Sequence, residues 1–130
     1  MTTELFYLAL TLILALIQIF LPAAGRVARF GLAWNAGARD EPKGSAGPVT
    51  GRLERAQANL FETLPLFIGA VLIAHVADAN SAWTVWGAGL YFWARVAYVP
   101  LYALGVPYVR SLAWLVSLIG LVLILAALFI

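Results

Sequence analysis

From Leu5 to Leu21 the chain carries no charged residue, and Gln18 is its strongest polar interruption. Such a run is close to the roughly 20 residues that cross the hydrocarbon core of a bilayer as a helix. Backbone groups find no water at that depth, so a spanning segment must satisfy its own hydrogen bonds. The rest of the sequence is built the same way. Of its 130 residues, 64% are hydrophobic and 11% charged, against about 45–50% and about 25% in a soluble domain. A water-soluble fold of this size cannot hide that much apolar surface. Soluble enzymes and nucleic-acid modules are thereby excluded, and no nucleic-acid partner is expected. Disorder, which needs low hydrophobicity and high charge, is excluded too. With no cysteine there are no disulfides, thiolate metal sites or cysteine nucleophiles. One histidine, His75, offers no second ligand, and no metal site is expected. The fold class implied is an all-α integral membrane protein.

The segmentation predicts a bundle of four transmembrane helices in a single domain, 1–130. Pro22-Ala23-Ala24 resembles a cleavage site, but only Glu4 precedes the apolar run, where a signal peptide wants basic residues. Arg26 and Arg29 follow it instead, as stop-transfer charges do, so a retained first helix is expected over roughly 4–30. Residues 34–51 form the one long polar stretch, and their four Gly and two Pro (Pro42 and Pro48) predict a loop. Further helices are expected over roughly 52–77, 81–104 and 107–130. The turn Asp78-Ala79-Asn80-Ser81 supplies caps, and Pro107 suits a first helical turn. Six basic residues, Arg26, Arg29, Arg39, Lys43, Arg52 and Arg55, surround the first connection, and none lies in the second. The positive-inside rule therefore places the 34–51 loop in the cytoplasm and both termini outside. Trp83 and Trp86 open the third helix at the outer interface, and His75 and Asp78 fall at the outer end of the second.

Ionisable residues inside a span are expensive unless paired, so they are candidate functional residues. The second helix carries Arg55, Asn59 and Glu62 at i, i+4, i+7, on one stripe at about 100° per residue. The third carries Tyr91, Arg95, Tyr98 and Tyr102, again on one stripe. Counting rise along antiparallel helices brings Glu62 and Arg95 to similar depth, which predicts an ion pair within one subunit or across an interface. That pair serves structure, function or both. Arg55, Tyr102 and Arg110 gather near the cytoplasmic rim. Arg26, Arg29, Arg39, Lys43 and Arg52 read as topology signals and lipid-headgroup contacts.

The segment Glu54-Arg55-Ala56-Gln57-Ala58-Asn59-Leu60-Phe61-Glu62-Thr63-Leu64-Pro65 resembles the signature of the MAPEG family, the membrane-associated proteins of eicosanoid and glutathione metabolism. Ala94-Arg95-Val96-Ala97-Tyr98-Val99-Pro100-Leu101-Tyr102 is similar to the third-helix segment of its leukotriene C synthase and microsomal glutathione transferase branch. The resemblance implies a homotrimer with glutathione bound between subunits. Carried over residue by residue, its glutathione contacts fall on Arg55, Gln57, Asn59, Glu62, Tyr98, Tyr102 and Arg110, and on Arg26, whose role Arg29 could also claim. Arg110 takes the position of the thiolate-stabilising arginine, with Ser111 as the alternative donor. Thr63 stands where some members have an aromatic, and Ala58 where the prostaglandin synthase branch has Arg. The implied activity is a membrane-bound glutathione-dependent transferase or peroxidase for hydrophobic electrophiles or lipid hydroperoxides. The alternative is a non-catalytic lipid- or partner-binding relative. The Ala/Leu-rich style and short termini suggest a bacterial inner-membrane member with both termini periplasmic.

Overall fold

A computed structural model describes residues 1–41 and 43–130, which fold into five helices and, among these residues, no strand. They are α1 (Thr3–Phe30), the short α2 (Leu32–Ala36), α3 (Pro48–Val76), α4 (Ala82–Ala103) and α5 (Pro107–Ala127). Pro42, one of the two prolines behind the loop expectation, lies outside the described residues.

Helix ends follow local chemistry. Thr2 caps α1, accepting the Leu5 N–H at 3.2 Å, and the helix stops where Gly31 turns to φ 90°. Ser81 and Thr84 cap α4 reciprocally, with Ser81 N–H donating to Thr84 Oγ1 at 2.8 Å. The polar stretch is shorter than the expected 34–51. Its start is taken by α2, and α3 begins at Pro48 rather than 52. Pro48 has no N–H to leave unsatisfied in a first turn and its φ is already helical, so it starts a helix there as Pro107 does. At the other end, α5 closes at Ala127, short of the expected 130.

Packing divides each helix into two faces. On α1, Glu4, Leu8, Thr11, Ala15, Gln18 and Pro22 are buried at helical spacing. The opposite side exposes Phe6, Ile13, Leu16 and Phe20, each at least half exposed. Such a continuous apolar surface demands lipid or a neighbouring subunit. Helices α4 and α5 pack most extensively, and Gly87 and Gly120 make that approach possible. A Cβ on either would stand 2.5 Å from the other's carbonyl oxygen. Helix α1 is fastened at both ends. Glu4 accepts from Thr84 Oγ1 at 2.7 Å and from Asn80, and at the loop end Arg26 pairs with Glu54 at 2.9 Å.

Among the described residues, α1, α3 and α5 are long and apolar enough to cross a membrane. With the composition, this makes the chain an integral membrane protein. Helix α4 has the length, 22 residues, or about 33 Å at about 1.5 Å per residue. Its Trp and Tyr residues and Arg95 lower its hydropathy.

Candidate functional site

The polar residues of α3, α4 and α5 converge on a cleft of about 410 Å³ at the loop end of the bundle. From α3 come Arg55, Ala58, Asn59 and Glu62, from α4 Tyr98 and Tyr102, and from α5 Arg110, Ser111 and Trp114. Helical periodicity explains the set. Residues spaced three or four apart share a face, and these faces meet where the helices flank one void.

Tyr102 links the walls. Its hydroxyl accepts from Arg55 Nε at 3.2 Å, the Arg110 guanidinium carbon lies 4.4 Å from its ring centre, and the Tyr98 ring meets it edge-on at 5.5 Å. Ser111 hydrogen-bonds Pro107 O at 3.5 Å. The cleft therefore presents two guanidinium groups, one carboxylate, an amide and three hydroxyls, with the Trp114 ring as an apolar wall.

Arg95 stands behind this wall. It is fully buried, its Nη1 donates to Asn59 Oδ1 at 2.7 Å, and its guanidinium carbon stacks 4.3 Å from the Tyr98 ring centre. An arginine can only donate, so Asn59 must give it the carbonyl oxygen, which leaves the amide NH₂ for the cleft. The expected Glu62–Arg95 pair is not made within this chain, because among the described residues the sole ion pair is Arg26–Glu54. Counting rise brings Glu62 and Arg95 level in depth but cannot say which side chain of α3 faces Arg95. Asn59, three residues nearer the loop end, is the one that does. Nε and Nη2 of Arg95 remain buried without a partner, as do both polar atoms of Gln18. Tyr91, on the same stripe, bonds Thr63 at 2.8 Å and stacks on Phe67 at 4.1 Å, deep in the core.

Two expected contacts lie elsewhere. Gln57 does not line the cleft, being about 200° round α3 from Arg55 at about 100° per residue. Arg26 is engaged with Glu54. Trp114, which by sequence alone reads as packing or an interfacial anchor, lines the cleft one turn beyond Arg110. The i, i+4 spacing of those two residues was the available signal. His75 is exposed at the far end of α3, and among the described residues no group of three or more His, Cys, Asp or Glu is placed to hold a metal.

Comparison with curated proteins and with solved structures gives no match. A family model does match, that of the MAPEG family, over residues 5–130. Nearly the whole chain is covered, the two polar helix motifs included, and the chain therefore belongs to the MAPEG family.

Proposed function

We propose that this protein is a membrane-bound glutathione-dependent transferase or peroxidase acting on hydrophobic electrophiles or lipid hydroperoxides. The observation that carries the reading is the charge pattern of the cleft. Glutathione has two carboxylates, one ammonium and a thiol. Arg55 and Arg110 suit carboxylate and thiolate through charge-assisted bonds, Glu62 suits the ammonium, and the Asn59 amide with Tyr98 and Tyr102 suits the peptide groups. A volume of about 410 Å³ lies within the usual range for small-molecule sites.

Arg110 holds the sulfur as thiolate, with Ser111 as a hydroxyl donor beside it. The thiolate attacks an electrophilic carbon and forms a C–S bond, either as a leaving group departs with its bonding pair or, at an activated double bond, as the π pair shifts to the neighbouring atom and takes up a proton. With a hydroperoxide it takes the terminal oxygen, and the departing alkoxide gains a proton to become the alcohol. A second glutathione then displaces hydroxide from the sulfenic acid, giving disulfide and water. Trp114 offers the second substrate an apolar surface.

In this reading α4 is the fourth span, the 37–47 connection is cytoplasmic, both termini are periplasmic, and the membrane is a bacterial inner membrane. The functional unit is a homotrimer. Its support is the family, together with the position of Gln57 and Arg26, two contacts carried over from that family, away from the cleft of their own chain. A neighbouring copy packed against α3 would present them to it. Glutathione should raise the thermal midpoint of the purified protein in proportion to RT ln(1 + [L]/Kd), about 2.7 kcal/mol at 100 times Kd. No shift at millimolar glutathione would favour the non-catalytic lipid- or partner-binding reading.

A further inference from the structure

Beside the cleft, where α4 turns into α5, lies a second cavity of about 220 Å³. It shares Arg55, Tyr102 and Arg110 with the cleft and adds Arg52 and the turn Gly105-Val106-Pro107. One difference is decisive. The cleft wall includes Glu62, whereas no carboxylate lines the second cavity.

The three guanidinium groups have only neutral partners. Arg52 Nη1 donates to Ala103 O at 3.4 Å, Arg55 Nε donates to Tyr102, and Arg110 lies over the Tyr102 ring. Among the described residues none of them has a carboxylate within the 4.0 Å of an ion pair. Like charges gathered around a void repel, and an anion in that void turns the repulsion into attraction. The backbone makes room for Arg52 in particular. Gly105 sits at φ +72°, and a Cβ there would come within 3.0 Å of the Arg52 guanidinium carbon. Leu104 and Tyr108, the chain neighbours of the Gly105–Pro107 turn, are 75% and 86% exposed, so lipid can reach side chains next to the turn that walls the cavity.

We propose that this cavity is a phosphate site at the membrane surface, with Arg52 as the ligand that distinguishes it from the cleft. A carboxylate is satisfied by one guanidinium fork, while the tetrahedral oxygens of a phosphate accept from several. The headgroup of an anionic phospholipid fits best, its acyl chains lying along Leu104 and Tyr108. Free inorganic phosphate has the same chemistry.

The test is ligand-dependent thermal unfolding of the full chain in neutral detergent. One arm titrates short-chain phosphatidylglycerol against phosphatidylcholine, and the other inorganic phosphate. Arg52 lines this cavity and not the cleft, so loss of phosphate binding in Arg52→Gln with glutathione binding retained separates the two sites. Wild type is expected to prefer phosphatidylglycerol, and Arg52→Gln to weaken that binding about tenfold. Arg52→Lys, which keeps the charge, should lose less and so rules out misfolding as the cause. The double variant Arg39→Gln/Lys43→Gln removes two loop charges that do not line the cavity, so it should lose less phosphatidylglycerol binding than Arg52→Gln and none in the phosphate arm. A tenfold loss in the lipid arm alone identifies the headgroup as ligand, and an equal loss in both arms identifies free phosphate. Unchanged binding by Arg52→Gln in both arms, or loss in the loop variant instead, overturns the site.

Discussion

Arg95 is a buried charge whose one side-chain hydrogen-bond partner is an amide, which makes its thermodynamics testable. Asn59→Ala removes the acceptor at 2.7 Å and leaves the guanidinium with no side-chain partner, since Nε and Nη2 already have none. A hydrogen bond to a charged group is worth about 1.5–3 kcal/mol, and that is the expected loss of stability. Arg95→Met removes the charge and keeps most of the volume. It forfeits the stacking on Tyr98 but also the cost of an uncompensated cation, so it should lie within about 1.5 kcal/mol of wild type. Added to Arg95→Met, the Asn59→Ala change should cost under about 1 kcal/mol, giving a coupling of about 0.5–3 kcal/mol. Reversible unfolding in mixed micelles, run as a double-mutant cycle, measures all four corners. Losses additive to within about 0.5 kcal/mol would refute the reasoning. Glutathione affinity supplies a second readout. Freed of Arg95, the Asn59 amide is no longer aimed, so Arg95→Met should bind glutathione about tenfold more weakly despite near-normal stability.

Arg110→Ala should raise the thiol pKa of bound glutathione toward the free value near 8.5. Thiolate absorbance against pH checks this, and an unchanged titration with glutathione still bound would move the role to Ser111. Gly87→Ala should destabilise by about 1–3 kcal/mol through the close α4–α5 contact. Gly69→Ala, where a Cβ meets nothing within 4 Å, should not destabilise; equal effects in unfolding assays would discount the contact. Single cysteines at Ser45 and Ser81 should label from inside and outside intact cells respectively, and external labelling at Ser45 would invert the topology. Native mass spectrometry in mild detergent should find trimers, and monomers with full glutathione binding would contradict a shared site.

Three spans were legible because long, mainly apolar runs have one solution in a bilayer, and the α3 stripe because Arg55, Asn59 and Glu62 must share a face once the segment is helical. Azimuth between helices was not legible. Rise per residue fixed the depth of Arg95 but not whether Asn59 or Glu62 faced it. Trp114 was hidden by its own chemistry, since a tryptophan near a helix end is equally an interface anchor. The Gly87–Gly120 contact was invisible for a similar reason, because nothing in either neighbourhood announces the other.

The fastening of Glu4 to Thr84 sets an order of assembly. Eighty residues separate the two partners, and synthesis at roughly 5–20 residues per second keeps them apart for about 4–16 s. The Arg26–Glu54 pair needs only 28 residues, so the α1–α3 hairpin is complete first. Through that interval Glu4 has neither of its later partners and must stay hydrated among the lipid headgroups, holding the N-terminal end of α1 at the surface. Only when α4 has entered does its carboxylate leave water for the Thr84 hydroxyl.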